Sequence, residues 1–138
     1  MSYLLDTNVI SEIRRPERAN PQVRSWFASI DIADCAISVV TLLELETGVA
    51  RAFHRGLPHA EILRRWLDAQ VVPAFADRIL SVDTTIARRC AALHLPQTRP
   101  YADALIAATA LVSGRTLVTR NLTDFAGTGV PLLDPWAG

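Results

Sequence analysis

The sequence predicts an α/β fold, a three-layer α/β/α sandwich with a mainly parallel sheet. Three observations carry that prediction. Short apolar runs alternate with longer stretches of helical periodicity, the pattern of strands joined by helical crossovers. The mean hydropathy is +0.21, which fits a sheet buried on both faces and equally a buried oligomer or partner surface. The chain has 138 residues, half of them hydrophobic, enough for one domain (1–138) with a sizeable core.

Each element follows from local signals. Tyr3–Leu5 is a buried first strand. Ser11–Arg15 reads as one helical turn, stopped by Pro16. Asn20-Pro21 starts a helix, with Asn as N-cap and Pro at the first helical position. Val23, Trp26, Phe27 and Ile30 form its apolar stripe. Cys35–Ser38 is the second strand. A helix over Thr41–Arg55 buries Leu42, Leu45, Val49 and Phe53, and Gly56-Leu57-Pro58 breaks it. His59–Gln70 is the next helix, with Ile62, Leu63, Trp66 and Leu67 inward, and the two form a helical hairpin standing off the sheet. Arg78–Val82 is the third strand, and Asp83 caps a helix that runs to Leu93. The loop Pro96–Pro100 leads into a helix over Tyr101–Ser113, and Thr116–Thr119 is the fourth strand. Val130–Leu133 is a short edge strand, because Pro131 interrupts it. No repeat, linker or low-complexity segment divides the chain.

Composition narrows the chemistry. Fourteen acids balance fourteen bases, and every base is Arg. The absence of Lys excludes P-loop and Schiff-base chemistry. No basic tail announces a nucleic-acid binder, although the clusters Arg14-Arg15-Arg18, Arg64-Arg65 and Arg88-Arg89 are either contact sites or solvated helix faces. Cys35 and Cys90 fit neither a metal spacing nor a disulfide framework, which suits a reducing cytoplasmic location. No signal peptide and no membrane-length apolar run is present.

Four acids stand at the edges of apolar segments. Asp6 closes the first strand, at the mouth where open parallel sheets bind ligands. Asp103 lies in the apolar run Ala102–Ala110, with no base before Arg115 to neutralise it. Its alternative role is a first-turn acid favoured by the helix dipole. Glu44 follows the second strand, and the Thr41…Glu44 spacing also suits a capping box. Glu46 points about 200° away on an ideal helix, so one of the two acids faces any given site. Asp124 follows the fourth strand, with Asn121 nearby either orienting a ligand or holding a turn. Together the four suggest an oxygen-only site for Mg²⁺, with Mn²⁺ as a substitute. His54, His59 and His94 read as helix-end or surface residues, and no Ser/His/Asp constellation appears.

Two unrelated folds also place acids at strand ends. A receiver-like Mg²⁺-binding domain needs a Lys on its last strand, and the chain has none. A haloacid-dehalogenase-type phosphatase needs D-x-D after the first strand, and Asn8 holds the second position.

Leu5-Asp6-Thr7-Asn8-Val9-Ile10-Ser11-Glu12 resembles the opening motif of the PIN-domain ribonucleases, most of all the VapC toxins and their FitB-like branch. Ser38–Gly48, Tyr101–Ala110 and Thr119–Phe125 resemble the segments of the second, third and fourth acids, and Pro135-Trp136 is similar to FitB-like chain ends. The chain departs from the pattern at Leu43, where Gly is common, and the fourth acid falls on Asn121 or Asp124. The resemblance implies a metal-dependent endoribonuclease toxin that cuts RNA and stops growth. Asp6 and Asp103 would hold the principal Mg²⁺, with Glu44 close by and Asp124 completing the set. Thr7, Thr119 and Asn121 would contact water or phosphate. It further implies a homodimer silenced by a VapB-type antitoxin in a heterotetramer or larger assembly, which meets promoter DNA only through the antitoxin. The competing expectation is a catalytically inactive PIN domain serving as a binding module.

Overall fold

β1 (Tyr3–Leu5) runs through the middle of a five-stranded sheet in the computed structural model, which describes residues 1–137. The other strands are β2 (Cys35–Ser38), β3 (Ile79–Leu80), β4 (Thr116–Val118) and β5 (Leu132–Leu133). Their order is β3-β2-β1-β4-β5, and every pairing is parallel. The chain winds outward from β1 through β2 to β3, then returns to the other side of β1 for β4 and β5. The direction of winding therefore reverses between β1 and β4, and such a reversal opens a crevice at the strands' carboxyl ends.

Successive strand residues point to opposite faces, and the two faces carry separate cores. Tyr3, Leu5, Cys35, Ile37 and Val118 pack with Val9 and Ile10 of α1 (Thr7–Ile13) and with Leu45 and Val49 of α3 (Val39–His54). α2 (Pro21–Ser29) lays the partly buried Trp26 and Phe27 against that core, and its Val23 is fully buried. α4 (Ala60–Trp66) continues through a widened turn over Leu67–Val71 into α5 (Val72–Ala74), and Leu67 and Val71 join that core. On the other face Leu4, Ala36 and Leu117 pack against Ile86, Cys90 and Leu93 of α6 (Thr84–Leu93) and the alanine-rich side of α7 (Tyr101–Ser113). Truncating a fully buried Leu4 or Leu5 to Ala is expected to cost about 2–5 kcal/mol. Gly114, in the left-handed conformation at φ 68°, ends α7 and lets β4 begin two residues later.

Several sequence expectations shift, each for a physical reason. The first helix begins at Thr7 rather than Ser11, because the Asp6 carboxylate accepts from the Thr7 amide at 2.8 Å and starts it at once. α3 begins at Val39 rather than Thr41, because Ser38 Oγ accepts from the Val40 amide at 3.0 Å. The Thr41…Glu44 capping box therefore does not form. α4 gives way to the widened turn ahead of Pro73, which has no N–H to donate to the preceding turn. α3 and α4 pair as a hairpin: α3 packs on β2 and β3, and α4 packs on α3 and on the widened turn that follows it. Phe53 and Ile62, expected inward, are exposed. β3 shortens to Ile79–Leu80 and β5 to Leu132–Leu133; Pro131 offers only its carbonyl, which accepts from Leu117 N at 2.9 Å. One-turn helices over Ile32–Asp34 and Leu122–Phe125 carried no periodic signal in the sequence.

Candidate functional site

Asp6 sits where β1 meets α1, and its backbone amide donates to the Val118 carbonyl at 2.9 Å. The residue is 6% exposed. Its Oδ2 accepts a 2.8 Å hydrogen bond from the Thr119 hydroxyl, on the neighbouring β4 segment. The Asn8 amide lies 3.4 Å from the same oxygen and 3.4 Å from Thr119 Oγ1. Burial pushes the Asp6 carboxyl above its ordinary value, the bonds from Thr119 and Thr7 oppose that push, and repulsion from Glu44 and Asp124 adds to it.

Glu44 reaches the same mouth from α3. Its Oε1 accepts from the Thr7 hydroxyl at 2.6 Å, and Thr41 Oγ1, fully buried, lies 3.2 Å from that hydroxyl. Glu46 turns away and pairs with Arg64 at 2.9 Å, which holds its carboxyl below the usual glutamate range. The helix period thus separates the two acids as it must: one faces the crevice, the other an arginine of α4.

Asp103 enters from the opposite layer, in the first turn of α7. Burial raises its carboxyl first, and repulsion from Asp6, Asp124 and Glu44 follows in that order. Asp124 is exposed, on the one-turn helix Leu122–Phe125. Asn121 opens that turn: its carbonyl accepts from Asp124 N at 3.1 Å, and its amide donates to Thr119 Oγ1 at 3.1 Å. The Asn121 side chain caps nothing. It is Asp124 whose charge is felt at both Asp6 and Asp103.

The structure therefore gathers Asp6, Glu44, Asp103 and Asp124 around one crevice. None of the four takes part in an ion pair among the described residues. Their mutual repulsion is relieved by a cation, and an all-oxygen donor set suits a hard divalent ion. Among the described residues no three His, Cys, Asp or Glu side chains stand close enough together to hold a metal ion as they are. The Thr7 and Thr119 protons are committed to Glu44 and Asp6. Thr41 and Asn8 complete this hydroxyl-amide lattice, and sequence reasoning did not single them out for the site. Their one signal was polar character inside otherwise apolar runs.

A groove leads away from the acids. A space of about 220 Å³ lined by Thr7, Ser11, Arg14, Glu44 and Trp66 adjoins a cleft of about 480 Å³ lined by Arg14, Arg15, His59, Arg65 and Trp66. The Arg14 guanidinium lies 6.0 Å from the Trp66 ring centre. Of the arginine clusters in the sequence, Arg14-Arg15 and Arg65 line this groove, Arg64 is paired, and Arg88-Arg89 stand exposed on α6. His54 ends α3, His59 precedes α4 and His94 ends α6, and none joins the acids.

The PIN domain model matches residues 3–129. The plasmid stability protein StbB of Pseudomonas syringae is 37% identical, covering 96% of this chain and 97% of that one. Toxin FitB of Neisseria gonorrhoeae is 36% identical over 96% and 97% of the two chains. The VapC ribonuclease Y4jK of Sinorhizobium fredii is 35% identical over 96% of each. Among solved structures, FitAcB from N. gonorrhoeae superposes with a TM-score of 0.85 at 34% identity, over 97% and 98% of the two chains. A toxin–antitoxin complex from Klebsiella pneumoniae superposes at 0.71 with 27% identity, over 97% and 98%. The family match spans most of the chain, and the relatives align from end to end with the acid-lined crevice inside the matched region; the chain belongs to the PIN-domain family.

Proposed function

We propose that the chain is a metal-dependent endoribonuclease, the toxin of a VapBC-type toxin–antitoxin pair, which hydrolyses RNA phosphodiester bonds and so halts growth. The observation that carries this reading is the crevice itself: four carboxylates from four separate elements share one mouth, with no basic side chain paired to any of them among the described residues. Relatives that match the whole chain, and are named as a toxin and as a ribonuclease, support it.

Asp6 and Asp103 would hold a divalent ion, Mg²⁺ with Mn²⁺ as a substitute, with Glu44 beside them and Asp124 completing the set. When bound, such an ion acidifies a coordinated water and neutralises charge that develops on a phosphodiester. The chain's own residues prepare the site for it. Thr119 and the Thr7 amide orient the Asp6 carboxylate, and the Thr7 hydroxyl orients Glu44. Arg14, Arg15 and Arg65 would hold RNA phosphates in the groove, and Trp66 would offer a face to a base. The net charge of zero keeps unspecific affinity modest, so shape and single-stranded loops would select the target.

The solved toxin–antitoxin complex that superposes on the chain supports an antitoxin as its partner, of the VapB type that the resemblance implies. A homodimer, a heterotetramer or larger assembly with the antitoxin, and contact with promoter DNA only through the antitoxin complete the reading. A cytosolic site of action fits the free thiols of Cys35 and Cys90. No helix among the described residues is long and apolar enough to cross a membrane.

The test is RNA cleavage by purified protein with Mg²⁺, with and without excess EDTA. Cleavage that EDTA abolishes, and that Asp6→Asn and Asp103→Asn each abolish in a folded protein, supports the reading. Cleavage by a clean Asp103→Asn preparation sinks it.

A further inference from the structure

Asp103 and Asp124 belong to elements that no strand pairing joins directly: one opens α7, the other sits in the turn after β4. Arg99 lies between them. It is half-buried and four residues ahead of Asp103, in the loop that leads into α7. Its guanidinium spans three backbone carbonyls. Nε donates to Leu93 at 2.9 Å, Nη1 to Asp124 at 3.2 Å and Nη2 to Ala126 at 2.9 Å. Its own backbone amide donates to His94 Nδ1 at 3.2 Å, which fixes the loop against the end of α6. The His94 ring in turn packs at a tilt against Tyr101, the first residue of α7, with ring centres 4.9 Å apart.

The turn is shaped around this guanidinium. A Cβ on Gly127 would stand 3.3 Å from Arg99 Nη2, tighter than an ordinary contact, and Gly127 has φ +83°, a conformation that glycine adopts without strain. The carbonyls of Asp124 and Ala126 are thus turned toward the arginine by a backbone built to let it approach. Arg99 bonds the main chain of Asp124 and leaves the carboxylate oxygens free for another partner. The planar five-donor fork is what lets one side chain hold three carbonyls on two segments, which a lysine ammonium does not reproduce.

We propose that Arg99 is a positioning residue that fixes the Asp124 turn against the start of α7, and so sets the spacing between the third and fourth acids. The proposal rests on the reading of those acids as a metal site. Arg99 touches neither metal nor substrate. Its effect is to keep Asp124 at a fixed distance from Asp103 without drawing on the carboxylate.

The test titrates Mn²⁺ alone into the wild-type protein, Arg99→Ala, Arg99→Lys and Arg78→Ala, reading free Mn²⁺ by electron paramagnetic resonance. Each variant is also melted. Arg78 serves as the structural control, because its guanidinium likewise grips backbone carbonyls, of Cys35 at 2.8 Å and Ala74 at 2.6 Å, at the sheet's far end. Arg99→Ala is expected to weaken Mn²⁺ binding about tenfold or more, the scale of losses in the supporting shell of a metal site. Arg99→Lys is expected to recover part of that loss, and Arg78→Ala to melt earlier with unchanged Mn²⁺ affinity. RNA cleavage should show the same split, with Arg99→Ala needing more Mg²⁺ for half-maximal rate. Unchanged Mn²⁺ affinity in both Arg99 variants overturns the proposal, as does an equal loss in Arg78→Ala. Should Arg99→Ala not fold, the Arg99→Lys titration decides alone. A wild-type protein that binds Mn²⁺ no better than Asp6→Asn overturns the metal reading, and this proposal with it.

Discussion

Thr119 donates a 2.8 Å hydrogen bond to Asp6 Oδ2 from 113 residues away in the chain, inside a buried site. The bond joins the ends of the two strands between which the sheet's winding reverses, and it fixes the carboxylate's rotation at the crevice. Replacing Thr119 by Val keeps the shape and removes the donor. The expected cost is about 1–3 kcal/mol for removing the shorter of the two hydrogen bonds to a buried oxygen, with only the Asn8 amide left at 3.4 Å. RNA cleavage should fall about 10–100-fold, the usual scale for groups that orient a ligand. Thr119→Ser, which keeps the hydroxyl, should retain most of the activity. Parallel melting curves and single-turnover cleavage by the two variants check this.

The acids that serve the site are expected to weaken the metal-free protein. Asp6 and Asp103 both have carboxyls raised above the aspartate value of 3.8, by burial first; repulsion from neighbouring acids adds to it, and at Asp6 the bonds from Thr119 and Thr7 oppose it. A raised folded value means a contribution to stability that is full below the unfolded value and lost as pH rises through the folded one. In EDTA the wild-type protein should therefore melt at a lower temperature at pH 7.5 than at pH 5. Asp6→Asn should flatten that dependence and raise the pH 7.5 melting temperature by a few degrees, at roughly 2–4 °C per kcal/mol. Excess Mg²⁺ should raise the wild-type melting temperature more than that of the variant. Scanning calorimetry at the two pH values decides it.

Glu44 and Glu46 should part company sharply. Glu44→Gln is expected to abolish most cleavage while the protein remains folded. Glu46→Gln breaks the 2.9 Å pair with Arg64, which is exposed and screened by water, and should leave the cleavage rate nearly unchanged. Initial rates on one RNA substrate are the measurement, and loss of rate in Glu46→Gln alone would reverse the assignment.

Arg14 and Arg65 line the groove beside the acids. Arg14→Ala and Arg65→Ala should each weaken RNA binding across sequences and lower the slope of log affinity against log salt by about one for each phosphate no longer held. The cleavage rate at saturating RNA should change little. Filter binding across a salt series tests this, and an unchanged salt slope in both variants would remove the groove from the RNA path.

Strand alternation, the apolar runs and the position of each of the four acids at an element's edge were legible because each leaves a local trace. Tyr3–Leu5 and Cys35–Ser38 stand in the structure where the sequence places them, since runs so apolar have no other way to be buried. The starts of α1 and α3 were not legible. Asp6 and Ser38 each end a strand and cap the following helix, and that double use erases the gap by which a helix start is recognised. Thr41 looked like a capping residue and is a buried neighbour of Thr7, a relation set by the packing of α1 on α3 rather than by spacing along the chain. The orientation of Asp124 was hidden for a similar reason. It depends on the Arg99 guanidinium reaching its carbonyl across 25 residues, which no periodicity encodes.

The strand order β3-β2-β1-β4-β5 has a consequence for synthesis of the chain. β1 is made first, yet one of its two neighbours, β4, is made only after residue 115. A nascent chain can pair β1 with β2 and cover one face, but Thr119, which turns Asp6, and Asp124 are still to come. No product of early termination carries the whole of the proposed site. A cell that makes such an enzyme is thus exposed to it only when nearly the whole polypeptide has left the ribosome.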